Sequence, residues 1–148
     1  MIRQLTNKEQ LDNLIKLEEN NFGQERWNRQ MLLSMFANPC NDIYGVFLGE
    51  ILIGYACLNV SIDFCNIDNI VVDKPYVCRG YGSQLLELLI KKARDYNTQA
   101  IFLEVNTQNL NALKLYGKYG FEVISTRKNF YSKPLFDSKD AYVMVKKL

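Results

Sequence analysis

The sequence predicts a mixed α/β fold, a sheet of about seven strands with helices on both faces. Three observations predict it. Short apolar runs with period-2 patterning recur through the first half. One long amphipathic helix then stands between two strongly apolar runs, and two more strand-like runs close the chain. The chain has 148 residues, of which 48% are hydrophobic, 12% aromatic and 23% charged. A chain of that length fits a single domain, residues 1–148, and can bury roughly 70% of its unfolded surface.

The elements follow in order. Met1 to Leu5 alternates like a short strand. Thr6-Asn7-Lys8-Glu9 reads as a capping box that opens a helix through Leu11, Leu14, Ile15 and Glu18. A second helix is expected over about Trp27 to Phe36, ending before Asn38-Pro39 because the residue before proline resists helix. Ile43 to Leu48 and Ile51 to Val60 read as two strands joined at Gly49-Glu50, where glycine in the first loop position suits a two-residue hairpin turn. A strand from about Phe64 to Val72 leads into a loop, Asp73 to Arg79. Next come a helix from Gly80 to Tyr96 and a strand from Ala100 to Asn106. The helix carries one apolar stripe, Leu85, Leu86, Leu89, Ile90 and Ala93. Strand, helix and strand in this order make a right-handed crossover, so the two flanking strands should run parallel. A shorter helix, Asn109 to Lys118, stops at Gly120. Strands over about Phe121 to Phe130 and Ala141 to Lys147 follow, joined by a polar loop containing Pro134.

Composition excludes several chemistries. The net charge is only +2, and there is no dense basic run, so no direct nucleic-acid partner is expected. Lys91-Lys92-Ala93-Arg94 is the nearest approach, and it suits the C-terminal end of a helix. No run approaches membrane-spanning length and Met1 to Leu5 is no signal peptide, so the expected location is the cytoplasm, with no membrane partner. The cysteines are Cys40, Cys57, Cys65 and Cys78. None forms a C-x-x-C pair, three lie in apolar surroundings, and the expected state is reduced and mostly buried, with no metal. The chain has no histidine, which removes Ser-His-Asp and Cys-His catalysis. Proton transfer must fall to carboxylates, tyrosines, lysines, cysteines or water.

Three segments carry candidate chemistry. Asn69-Ile70-Val71-Val72-Asp73 followed by Arg79-Gly80-Tyr81-Gly82-Ser83 puts a glycine-bearing loop between a buried strand and a helix start. Backbone amides and the helix dipole suit a phosphate there, and glycine lets the chain approach it; the alternative is a plain helix start with glycines for packing. The Rossmann and Walker patterns both fail, which disfavours a nucleotide-binding module. In Ile101-Phe102-Leu103-Glu104-Val105-Asn106, period-2 geometry sends Phe102, Glu104 and Asn106 to one face. Glu104 is either a solvent-facing residue or a functional carboxylate. In Asn109-x-x-Ala112-Leu113-x-x-Tyr116, helical spacing puts Asn109 and Tyr116 on one face; the alternative is an N-cap asparagine and a core tyrosine.

Together these pieces resemble the central motifs of the GNAT acetyltransferases. The run from Ile67 to Phe121 carries Asn69-Ile70-Val71-Val72, Arg79-Gly80-Tyr81-Gly82, Leu103-Glu104-Val105 and Asn109…Ala112…Leu115-Tyr116…Gly120-Phe121. Within that superfamily the chain looks most like the bacterial ribosomal-protein-alanine N-acetyltransferases, the RimI type. The residues that suggest this are Trp27 after Phe22, Glu104, Arg127-x-Asn129-Phe130-Tyr131 and Asp140-Ala141. Three positions depart from the family pattern. Val77 stands where Gln or Arg usually opens the phosphate loop, which implies weaker cofactor affinity. Arg26-Trp27 replaces Pro-Trp, and Phe130 replaces a common tyrosine.

The resemblance implies a GNAT fold in which the two parallel central strands splay and acetyl-CoA lies between them. Amides from Ile70, Val71 and Val72 would meet the thioester carbonyl. Amides from Cys78, Arg79, Gly80, Tyr81, Gly82 and Ser83 would hold the pyrophosphate, and Asn109 would hold the cofactor's arm. Glu104 would act as base and Tyr116 as acid, with Trp27 and Tyr131 gripping the acceptor. The implied acceptor is a protein N-terminus, that of a ribosomal protein. Rival readings are acetylation of a small amine or lysine side chain, and a non-catalytic acyl-CoA-binding domain.

Overall fold

Seven strands pair into one mixed sheet in the computed structural model, which describes residues 1–6, 8–23, 26–131 and 136–148. The strands are β1 (Ile2–Gln4), β2 (Asn41–Leu48), β3 (Ile51–Val60), β4 (Phe64–Val72), β5 (Ala100–Asn106), β6 (Glu122–Arg127) and β7 (Ala141–Lys147). The helices are α1 (Leu11–Phe22), α2 (Arg29–Ala37), α3 (Tyr81–Asp95) and α4 (Leu110–Lys118). The spatial order is β1-β2-β3-β4-β5-β7-β6, in which β4 and β5 are parallel and every other pair is antiparallel. β3 is covered on both faces, so its residues from Leu52 to Leu58 are all buried and its sequence is almost continuously apolar. Among the described residues no helix is long and apolar enough to cross a membrane.

Each face of the sheet carries its own core. The predicted stripe of α3, Leu85, Leu86, Leu89, Ile90 and Ala93, is wholly buried against Val46, Ile53, Leu58, Ile67 and Leu103, and Tyr116 of α4 joins that side. On the other face Leu11, Leu14 and Leu17 of α1 and Leu32 and Met35 of α2 pack on Ile43, Tyr55, Cys57 and Val71.

Several boundaries differ from the sequence reading. The capping box does not start α1: Lys8–Gln10 is a 3₁₀ turn, and α1 begins at Leu11 with no side-chain cap at Gln10. Asn7 of that box, like Pro134 of the tail loop, lies outside the described residues. α2 begins at Arg29, where the Asn28 side chain accepts the Met31 N–H at 2.9 Å, so Trp27 belongs to the preceding loop. β6 is shorter than expected because Asn129 turns the chain with a φ of 55°. Two cysteines are buried rather than three: Cys57 and Cys65 sit within the sheet, while Cys40 and Cys78 lie on exposed turns, and all four are free.

One irregularity sets up the site. Leu58 of β3 pairs with Ile67 of β4, but Cys57 pairs with Asn69, so Asp68 is an extra residue, a β-bulge. The added residue exchanges the faces of everything beyond it. Cys65 and Ile67 point to the α3 side, whereas Asn69 and Val71 point to the α1 side.

Candidate active site

The parallel ladder between β4 and β5 is short. It runs from Phe64 opposite Ala100 to Ile67 opposite Leu103 and stops there. Beyond that point β4 stays paired to β3 as far as Val72, and β5 stays paired to β7 as far as Asn106. The two strands therefore diverge, and a cleft of about 360 Å³ opens between Ile67–Ile70 and Leu103–Asn106. The α4 N-cap Asn109, Ala112 and Tyr116 of α4, Glu18 of α1, and the aromatic rings of Phe22, Trp27, Phe130, Tyr131 and Phe136 also line it.

The divergence leaves backbone groups of β4 without strand partners. Asp73 N–H donates to Ile53 O at 2.8 Å, and antiparallel alternation then directs the N–H of Val71 toward β3 and those of Ile70 and Val72 toward the gap. Of the three amides that the sequence reading offered to a carbonyl, Val71 is thus turned into the sheet, and its side chain is buried on the α1 side. Gly54 keeps β3 close at this point. A Cβ there would lie 2.7 Å from Val71 O and 3.3 Å from Val72 Cα.

The loop beyond β4 forms an anion-receptive helix start. Gly80 caps α3 with φ 90°, offers no side-chain cap, and Gln84 N–H makes the first intrahelical bond, to Gly80 O at 3.0 Å. The N–H groups of Tyr81, Gly82 and Ser83 consequently have no intrahelical acceptor. Glycine at 80 answers to the left-handed backbone. At Gly82 a Cβ would meet Leu115 at an ordinary 3.4 Å, so packing within the chain does not demand glycine there. Cys78 also has a left-handed φ, 61°, and Arg79 reaches back over the Tyr76 ring at 5.9 Å.

Glu104 and Tyr116 both line the cleft. Glu104 is partly exposed and bonded to Arg127 at 3.1 Å. Arg127 lies over the Phe130 ring at 5.0 Å, and Phe130 meets Tyr131 edge to face at 5.0 Å, so one chain of contacts links the carboxylate to the aromatic wall. Tyr116 is buried beside Phe121, their centroids 5.7 Å apart. Burial pushes its phenol well above the usual range, and the neighbouring Tyr131 adds to the effect, so the group stays protonated at neutral pH. Asn109 caps α4 through a bond from Ala112 N–H at 3.3 Å and also lines the cleft.

Two residues of the site escaped the sequence reading. Glu18, whose position in α1 looked merely apolar-periodic, is buried in the cleft wall. Its carboxylate accepts the Trp27 N–H at 2.8 Å, the Tyr55 hydroxyl at 3.0 Å and the Asn69 amide at 3.2 Å. Burial pushes its carboxyl up, against those three hydrogen bonds. It ties the loop bearing Trp27 to the strand that carries the bulge. The second is Asp68. Its carboxyl is pushed up to about 6, first by the protein crowding out water and then by the Glu104 charge. A signal for it was present, since the consecutive polar pair Asp68-Asn69 breaks period-2 alternation where a regular strand would allow one polar residue.

Comparison with known proteins identifies the family and the fold. A sequence profile of the acetyltransferase (GNAT) family matches residues 9–121. The [ribosomal protein bS18]-alanine N-acetyltransferase of Haemophilus influenzae is 36% identical over 93 residues, 63% of this chain and 63% of that protein's own length, so the match spans less than two-thirds of it. The N-alpha-acetyltransferase RimI of Mycobacterium tuberculosis is 32% identical over 127 residues, covering 82% of this chain and 76% of the relative. The crystal structure of the ribosomal-protein-S18-alanine N-acetyltransferase from Escherichia coli superposes with a TM-score of 0.89 at 26% identity, over 99% of this chain and 92% of that one.

Proposed function

The chain belongs to the acetyltransferase (GNAT) family, and we propose that it transfers an acetyl group from acetyl-CoA to the α-amino group of a protein N-terminus, an alanine of a ribosomal protein, in the cytoplasm. The observation that carries the reading is the cleft between β4 and β5, open beyond Ile67 and Leu103 and lined by Glu104 and Tyr116. The residues present fit acetyl-CoA. The uncapped start of α3 suits a pyrophosphate, and the free edge of β4 suits an extended amide-bearing arm laid alongside as an added strand. When bound, acetyl-CoA supplies a thioester that an amine can attack.

The chain's own groups divide the remaining work. The N–H groups of Ile70 and Val72 face the gap where the thioester carbonyl would lie and stabilise charge developing on its oxygen. Glu104 accepts the proton that the attacking amine loses as the N–C bond forms. Arg127 holds that carboxylate in place. Tyr116 donates its hydroxyl proton toward sulfur as the C–S bond breaks. Because burial holds that phenol well above a thiol's pKa of about 8.5, the proton moves only as negative charge gathers on sulfur.

A carboxylate is an adequate base for this acceptor. An α-amino group of pKa about 8 is roughly 10% neutral near pH 7, whereas a lysine of pKa about 10.4 is below roughly 0.1% neutral. Asn109, Trp27 and Tyr131 line the walls where the cofactor's arm and the acceptor would be held. An intact-mass assay with acetyl-CoA and peptides tests the reading. Acetylation of a peptide with a free N-terminal alanine, and none of an N-blocked lysine peptide or of polyamines, is expected. Acetylation confined to the lysine peptide or the polyamines would overturn it.

A further inference from the structure

The cleft holds a second carboxylate that the mechanism above does not use. Asp68 is the residue that the bulge adds to β4, and it follows Ile67 as Glu104 follows Leu103, where the parallel ladder ends. Both carboxylates line the cleft. They are not in equivalent settings. Glu104 has Arg127 at 3.1 Å, while among the described residues no side chain hydrogen-bonds to Asp68 or forms an ion pair with it. Among the described residues no lysine or arginine lines the cleft, although Glu18, Asp68 and Glu104 all do.

An ionised carboxylate in such a place works against folding. It is crowded by protein and faces the Glu104 charge, which is why its carboxyl is pushed up to about 6. Among the described residues no cation compensates it. A group kept at a cost in stability, presented by an irregularity of the strand and aimed into the reaction cleft, fits a charge that arrives with a ligand.

Resting on the acetyl-transfer reading, we propose that Asp68 is an acceptor-docking residue: its carboxylate holds the ammonium of the incoming amine at the mouth of the splay, so the site selects acceptors that arrive as cations. An N-terminal α-amino group is about 90% protonated near pH 7 and so arrives charged. Asp68 binds that ammonium, which gives up one proton to solvent before attack, and Glu104 takes the second proton as the N–C bond forms. Among the described residues, the titratable groups that line the cleft with Asp68 are Glu18 of α1, Glu104 of β5, Tyr116 of α4 and Tyr131; Cys57 of β3 feels the Asp68 charge, and Arg127 of β6 bonds Glu104. Burial pushes both the Cys57 thiol and the Tyr116 phenol up, so neither competes for the cation at neutral pH.

The test compares wild type, Asp68→Asn and Asp68→Glu. It uses steady-state kinetics with acetyl-CoA and a peptide with a free N-terminal alanine, and calorimetric titration of that peptide into each protein saturated with CoA. Asp68→Asn is expected to raise the acceptor KM and Kd about tenfold, the size of one lost charge-assisted hydrogen bond. The acetyl-CoA KM should be unchanged and kcat nearly so, and Asp68→Glu should recover part of the loss. In wild type the acceptor KM should climb as pH falls through about 6, and in Asp68→Asn it should not. Asp68→Asn should also melt no lower than wild type. An unchanged acceptor KM and Kd in Asp68→Asn, a pH profile shared with wild type, or a large drop in melting temperature would each overturn the proposal. Failure of the wild type to acetylate any amine would overturn the acetyl-transfer reading instead, and the calorimetric comparison would still decide whether Asp68 docks the ammonium.

Discussion

Removing the Glu18 carboxylate tests how the acceptor side of the cleft is held together. Glu18 is 1% exposed and accepts three hydrogen bonds, from Trp27 N–H, the Tyr55 hydroxyl and the Asn69 amide. In Glu18→Ala, Asn69 keeps its donation to the Tyr55 hydroxyl oxygen at 2.6 Å, so it retains a partner. The Trp27 N–H and the Tyr55 O–H do not. A buried donor left unsatisfied costs about 1–3 kcal/mol, the full penalty for the Tyr55 hydroxyl and less for the part-buried Trp27 N–H. Part of that is offset, because burial disfavours the Glu18 carboxyl and its deletion removes that cost. The net loss is about 2–4 kcal/mol, which for a domain of this size lowers the melting temperature by on the order of 10 °C. Differential scanning calorimetry gives the first reading, with Tyr55→Phe as the control that removes one donor and orphans none. Kinetics give the second: the Trp27 loop is released from β4, so the acceptor KM should rise while CoA binding holds. A melting temperature within about 3 °C of wild type would refute the reasoning about stability.

Three further outcomes follow from the same geometry. Glu104→Gln should cut turnover by about 10²-fold or more while leaving acetyl-CoA binding nearly intact, as read by single-turnover assay and titration calorimetry. Gly54→Ala should cost about 1–3 kcal/mol, because the added Cβ meets the Val71 carbonyl, which is backbone and must shift; thermal denaturation checks it. Asp68 should leave a pH signature on stability. Its folded-state pKa of about 6 lies above the ordinary aspartate value, so the folded chain binds that proton more tightly than the unfolded chain does. The stabilisation is fully present below the ordinary value and is lost as pH rises through about 6, so the melting temperature of wild type relative to Asp68→Asn should fall across that window.

The sequence exposed some of this architecture and concealed the rest, for identifiable reasons. The α3 stripe was legible because five apolar residues recur at helical spacing on one face, and all five are buried. The alternation of β5 likewise placed Ile101, Leu103 and Val105 in the core and Glu104 on the opposite face. Regular elements keep a fixed period, so the pattern carries over into space. Irregular ones do not. The bulge at Asp68 reverses which side chains of β4 face α1, and a one-residue insertion leaves no periodic trace except the doubled polar pair. Antiparallel alternation removed Val71 from the set of available amides, and that depends on pairing with β3 rather than on local sequence. Glu18 reads as one polar position on a helix. Its importance comes from Trp27 in the next loop and from Tyr55 and Asn69, which are far from it along the chain and meet it only in the fold.

A crystal structure of the protein with CoA tests the central geometry most directly. The pantetheine arm should run along the edge of β4 from Asp68 to Val72, with the pyrophosphate on the amides of Tyr81, Gly82 and Ser83. The sulfur should lie between the Glu104 carboxylate and the Tyr116 hydroxyl. Density for CoA outside the gap between β4 and β5, or a gap closed by pairing beyond Ile67 and Leu103, would contradict it.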